Sequence, residues 1–165
     1  MEVVEGRVDV EDVSAFVAEL DAIGADHGVT VQAFDADYVV DRTHLERAVA
    51  LAARARERGA TIADDFGVEI LLYAAGRRQI NRALTMGVRE GDCPVVAVVV
   101  GGAESDEQAA VAALRDRFTP EETLGEYDEA RVRDFFDVSD TELAATEGTL
   151  ADAVRERVAL LVVEK

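Results

Sequence analysis

Four arginines and no acid occupy the segment LLYAAGRRQINRALTMGVR, Leu71 to Arg89, in a chain whose 35 Asp+Glu and 17 Lys+Arg give a formal net charge of −18. Guanidinium groups are planar forks that grip phosphate or carboxylate through two parallel hydrogen bonds. Such a cluster therefore poses a choice of anion. VEILLYAAG reads as a buried strand, and Arg77 to Val88 reads as a helix, so the period changes at Gly76. On that helix Ile80, Ala83, Leu84, Gly87 and Val88 recur at i, i+3, i+4, i+7 and i+8 and form one apolar face. Arg78, Arg82 and Arg89 fall on another. A strand, a glycine turn and a helix start together make a phosphate seat, because the first-turn N–H groups are unpaired and the helix dipole adds positive charge. Arg77 and Arg78 oppose that dipole at a cost of about 0.3–1 kcal/mol each, which a bound anion offsets. The competing reading pairs these arginines with some of the chain's many carboxylates. From residue types and spacing alone, both stay open.

The remaining elements must position this segment. EVVEGRVDV reads as a strand interrupted by Gly6, followed by a helix from Asp9 to Ile23 with apolar positions Val13, Phe16, Val17, Leu20 and Ile23, ended by Gly24. GVTVQAFDADYVV alternates like a strand. Thr43 to Arg58 reads as a helix capped by Thr43 and stopped by Gly59, with Leu45, Ala48, Val49, Ala52 and Ala55 facing inward. CPVVAVVVGG is the clearest strand. Ser105 with Gln108, Thr119-Pro120 with Glu122, and Ser139 with Glu142 match capping boxes, and DEARVRDFF places Val132, Phe135 and Phe136 on one side. The closing apolar run Val158 to Val163 suits a helix or a strand. The expected fold is α/β: a mixed sheet from the strands near Val3, Val31, Leu71 and Val98, covered by helices, in a single domain 1–165 with a helical C-terminal third. Parallel crossovers suit the helix spacing, and antiparallel pairing is left open.

Composition narrows the function classes. A chain of 165 residues can bury a core without disulfides or structural metal. The lone Cys93 reads as a small buried residue, and MEVVEGRVDVED lacks the basic and apolar regions of a secretory leader, so the expected location is the cytoplasm. No apolar run approaches the roughly 18 residues of a membrane span. Sixteen cations are Arg and the only Lys is Lys165, a balance read as adaptation to a salty cytoplasm. In molar salt the Debye length falls to about 3 Å, so an anion site must act at hydrogen-bond distance.

A second basic run, Arg42, Arg47, Arg54, Arg56 and Arg58, carries Glu46 and Glu57 between its members. It reads as a solvated face, although Arg47, Arg54 and Arg58 lie close together on one side and would extend an RNA track. Gly101-Gly102 precedes Asp106 and Glu107, which repel phosphate. His27 and His44 are far apart with no ligand spacing around them, so no metal site and no cofactor is expected. No catalytic constellation stands out. Six Phe, three Tyr and no Trp favour a small nucleic-acid footprint over a long stacking platform.

EILLYAAGRRQINRALTMGV resembles the signature segment of the smallest core subunit of the KEOPS complex, the family that includes the kinase-binding protein TPRKB, here of a haloarchaeal type. RERVALLVVEK is similar to that family's C-terminus. The resemblance spans the chain, strongest from Glu69 to Val88 and weakest from Ala103 to Asp152. It implies a non-catalytic accessory subunit that binds the atypical kinase/ATPase of the complex and supports threonylcarbamoyladenosine formation in tRNA. Archaeal members of the family engage the single-stranded CCA tail. The motif falls on Gly76, Arg77, Arg78, Gln79 and Ile80: Gln79 would bond a base edge, and the arginines, with Arg82, would hold phosphate or stack on an unpaired base. Ala75 stands where many relatives carry Ser or Thr, and Arg77 replaces a frequent Lys. Ile80, Leu84 and Val88, with the Val158–Val163 run, are the expected kinase contacts. The alternative is a small enzyme or regulatory domain that takes a phosphorylated metabolite at the Gly76-Arg77-Arg78 helix start.

Overall fold

The computed structural model describes residues 1–164. Three strands, β1 (Glu2–Val10), β2 (Thr30–Asp35) and β3 (Gly91–Val100), form a sheet in the order β1-β3-β2. Both pairings are antiparallel, with Val4 and Ala33 flanking Ala97 from either side. The α/β class with a helix-covered sheet is as expected, and the sheet is antiparallel throughout, a pairing left open, rather than mixed. Helices lie on both faces. Cys93, Val95, Ala97 and Val99 of β3 enter one core with Phe16 and Leu20 of α1 (Val13–His27) and Leu114 of α5 (Glu104–Arg115). Val96 and Val98 enter the other, beneath α2 (Arg42–Glu57), α3 (Phe66–Ala75) and α8 (Leu150–Glu164). A central strand covered on both sides must be apolar at every position, which is why CPVVAVVV shows no alternation. Each valine fully buried there contributes about 1.5–3 kcal/mol, and Val98→Asp would break both the packing and the sheet.

The expected strand near Leu71 is a helix, α3. Asp65 caps it by accepting from Val68 N at 2.9 Å, and all residues from Glu69 to Ala75 are buried. A helix surrounded by protein needs apolar side chains all round, so its sequence loses the 3.6-residue period and imitates a buried strand. Gly76 ends α3 in the left-handed region, with φ 62°. Its N–H bonds Tyr73 O and the N–H of Arg77 bonds Leu72 O, both at 3.1 Å, the paired bonds of a Schellman turn. Gly76 therefore closes a helix; it does not open one.

The expected helix Arg77–Val88 shrinks to one turn, α4 (Ile80–Ala83), and a 3₁₀ turn, Leu84–Met86. Gln79 N-caps α4 without a side-chain bond, and Gly87 leaves the turn in extended geometry. The short element is held by Ala83 and Met86, both fully buried.

Other boundaries shift for identifiable reasons. Helix α1 runs through Gly24 to a left-handed Gly28, because Gly24 faces the carbonyl of Val29, where a Cβ would sit at 2.7 Å. Strand β1 is unbroken at Gly6, which admits Phe118 and the Thr119 carbonyl to within 2.7 and 2.8 Å of a would-be Cβ. Asp41, not Thr43, caps α2, accepting from His44 N at 2.8 Å. Ala103 replaces Ser105 at the start of α5, where Asp106 accepts from Ala103 N at 3.0 Å. Thr119-Pro120 starts no helix; Thr119 instead exchanges backbone bonds with Arg7 at 2.9 and 2.8 Å. Ser139 does cap α7 (Asp140–Ala145), through Glu142 N at 3.0 Å, and α6 (Glu129–Phe135) buries Val132 as expected. Val158–Val163 is helical, within α8.

Candidate nucleic-acid and partner interface

Helices α2 and α3 lie side by side, and His44 fixes their register. Its Nε2–H donates to Ala74 O at 2.7 Å while Nδ1 accepts from Val40 N at 3.3 Å. The bond from Val40 needs an unprotonated Nδ1 and so the neutral ring, and burial pushes the imidazole below its ordinary range. This brace holds the corner at Gly76, where a Cβ would meet Arg157 O at 3.1 Å.

From that corner the motif residues diverge. Arg77 is half-buried: its guanidinium donates to Phe135 O and lies 5.1 Å from the centre of the Phe135 ring. Arg157 enters from α8, donating to Phe136 O at 3.0 Å and Asp137 O at 3.1 Å and pairing with Glu142 at 2.7 Å. That pairing holds the Glu142 carboxyl below its usual range. Between them opens a cavity of about 120 Å³ lined by Ala75, Gly76, Arg77, Phe136, Arg157 and Leu160. Arg78, Gln79 and Arg82 are exposed beside it.

This geometry removes the helix-start phosphate seat. The N–H of Gly76 and of Arg77 are committed to the Schellman turn, and one turn of α4 supplies no useful dipole. With it goes the physical basis of the phosphorylated-metabolite alternative. What survives is an exposed basic loop, Arg78, Gln79 and Arg82, next to a half-buried Arg77 whose charge is anchored by a carbonyl and a ring.

Arg89 does not belong to this group. It ion-pairs with Asp35 and sits 3.4 Å from Asp37, which Arg131 also holds at 3.2 Å. Burial pushes the Asp35 carboxyl up, against the pull of the Arg89 hydrogen bond and the Asp37 amide. The carboxylates lie 54 and 52 positions upstream, so an acid-free window in the sequence did not mean an acid-free environment in space.

The expected apolar face also splits. Ile80 and Leu84 are 45% and 57% exposed, whereas Val88 is buried and serves the floor of a groove. That groove, about 220 Å³, runs between Val17 and Leu20 of α1, Val31 of β2, Leu71 of α3, and Leu84 with Val88. Val17, one of the apolar positions that mark α1 in the sequence, is 42% exposed on its rim. Sequence spacing missed the groove because its walls come from four separate elements. On α8 the run Val158–Val163 divides likewise: Val158 and Leu161 are fully buried, while Val162 and Val163 are 42% and 80% exposed.

Among the described residues no helix is long and apolar enough to cross a membrane, and no three His, Cys, Asp or Glu side chains gather as a metal-binding group. Cys93 is buried, and burial pushes its thiol up. No curated protein matches the chain. The model of the family described as kinase binding protein CGI-121 matches residues 8–161, from within β1 to the last turns of α8, and the chain therefore belongs to that family.

Proposed function

We propose that this protein is a non-catalytic, cytoplasmic subunit of the KEOPS complex, a single accessory domain that docks on the partner kinase/ATPase and holds the single-stranded 3′ tail of tRNA. It thereby supports threonylcarbamoyladenosine modification, in an archaeal and salt-adapted setting. The observation that carries this reading is the kinase-binding family match across residues 8–161. Two surfaces agree with it. Ile80 and Leu84, beside the groove floored by Val88, and Leu160, Val162 and Val163 on α8 expose apolar area that a kinase would cover. Gly76, Arg77, Arg78, Gln79 and Arg82 form the basic corner, where guanidinium planes suit phosphate contact and base stacking, and the Gln79 amide suits a base edge.

The test is co-purification with the partner kinase and tRNA from a salt-matched lysate. Leu84→Asp with Val163→Asp should abolish kinase retention while leaving the thermal transition near that of the wild type. Full retention by this variant contradicts the docking surfaces; absence of the kinase from the wild-type sample contradicts the reading itself.

A further inference from the structure

The five arginines of the second basic run do not behave as one face. Arg42 pairs with Glu46 at 3.8 Å, and Arg56 stacks over the Phe66 ring at 3.8 Å from its centroid. Arg47, Arg54 and Arg58 are exposed and hold no carboxylate among the described residues. At about 100° per residue, positions seven and eleven apart return to within about 20° of the starting direction, so these three guanidiniums form a single line along α2. Glu46 and Glu57 point about 80–100° away from it.

The absence of partners is informative because acids are plentiful. With 35 Asp+Glu in the chain, Arg7, Arg89, Arg117, Arg133, Arg155 and Arg157 each reach a carboxylate. A line of three that reaches none is positive charge left available at the surface of a strongly acidic molecule. Its spacing suits a chain of anions rather than one anion: along the helix axis Arg54 lies about 10 Å from Arg47 and Arg58 about 6 Å farther, too far apart for one phosphate to bridge. The line also begins in the half of α2 nearer the candidate site, since Arg47 is three residues beyond His44, whose ring bonds Ala74 beside the Gly76 corner.

We propose that Arg47, Arg54 and Arg58 form a phosphodiester track on the outer face of α2, which holds RNA backbone outside the 3′ tail. The proposal extends the tRNA-binding reading to a second surface, and it rests on that reading for the identity of the RNA. An anionic membrane fits less well, because the apolar residues of α2 that a bilayer would need, Leu45, Ala48, Val49 and Ala52, are buried in the core.

The test compares wild type, Arg47→Gln/Arg54→Gln/Arg58→Gln, and a charge-matched control, Arg42→Gln/Arg115→Gln/Arg117→Gln, by fluorescence anisotropy. The probe is a tRNA transcript lacking its terminal CCA, titrated at several salt concentrations. Loss of up to three phosphate contacts should lower the slope of log affinity against log salt by about 2–3 and weaken binding roughly tenfold or more at low salt, with the control near wild type. Circular dichroism should be unchanged, because Gln keeps helix propensity. Equal losses in both triple variants, or unchanged affinity in the first, overturn the track while leaving the corner to be judged on the intact tail. A wild type that binds intact tRNA but not this probe overturns the track alone, and one that binds neither overturns track and tRNA reading together. Binding of the wild type to phosphatidylserine vesicles in preference to RNA also overturns the track.

Discussion

Two groups of arginines face opposite fates in this molecule. At the end of β2, Arg89 and Arg131 are clasped by Asp35 and Asp37, with Asp35 buried and the side chain of Arg89 39% exposed. At the Gly76 corner and along α2, exposed arginines stand at the surface, and among the described residues Arg47, Arg54 and Arg58 pair with no carboxylate. The residue type is the same, so its role is set by what the fold brings to its head group. In the clasp, two charges taken partly out of water must stay together, because either one alone is costly. On the outer face of α2, an arginine costs little, and Arg47, Arg54 and Arg58 remain available.

This contrast can be broken most forcefully at the clasp. Arg89→Ala leaves the buried Asp35 carboxylate without its partner, and should lower unfolding free energy by about 2–3 kcal/mol in urea at pH 7, less than the roughly 3–5 of a fully buried pair because Arg89 keeps solvent contact. Asp35 holds its proton more tightly folded than unfolded, so its contribution worsens as pH rises through its folded pKa. The deficit of the Arg89→Ala protein should therefore shrink on acidification. A deficit independent of pH would mean that lost packing, not the stranded charge, is responsible.

The connection between α2 and α3 should yield next. Glu69, inside the core, accepts from Ile62 N at 3.0 Å and Ala63 N at 2.8 Å, and so ties the α2–α3 connection to α3. Glu69→Ala strands these amides and should cost about 1–3 kcal/mol in the same denaturation experiment.

His44 gives a smaller, pH-dependent effect. Its folded pKa lies below the ordinary value of about 6.5, so stability is complete above that value and declines as pH falls through it. The slope has a ceiling of about 1.4 kcal/mol per pH unit for one proton, and urea midpoints measured between pH 7.5 and 5.5 should fall accordingly. Rising midpoints across that interval would contradict a His44 ring that loses its bond from Val40 on protonation. Smallest of all on stability should be Arg47→Gln or Arg54→Gln, within about 0.5 kcal/mol, since neither side chain pairs with a carboxylate among the described residues.

Legibility in the sequence followed how much local information each element carried. The sheet strands were readable because β-branched residues alternate or run between Gly and Pro, and α2 because its apolar residues keep helical spacing on one side. Helix α3 was misread as a strand, since complete burial erased the polar face that gives a helix its period. That single error inverted Gly76 from a helix end into a helix start and created a phosphate seat that the fold does not contain. The exposed motif residues Arg78, Gln79 and Arg82 were legible as chemistry, but not as geometry. Arg89's commitment to Asp35 and the groove rimmed by Val17 and Leu84 depend on contacts between distant segments, which local spacing cannot register.

The most direct measurement is the affinity of wild type and Arg78→Glu/Arg82→Glu for intact tRNA and for tRNA lacking CCA, at one fixed salt concentration. The account predicts that wild type binds intact tRNA at least tenfold more tightly than the shortened molecule, and that the double variant loses this preference while keeping its thermal transition. Equal wild-type affinity for the two RNAs, or a preference undiminished in the variant, would contradict it.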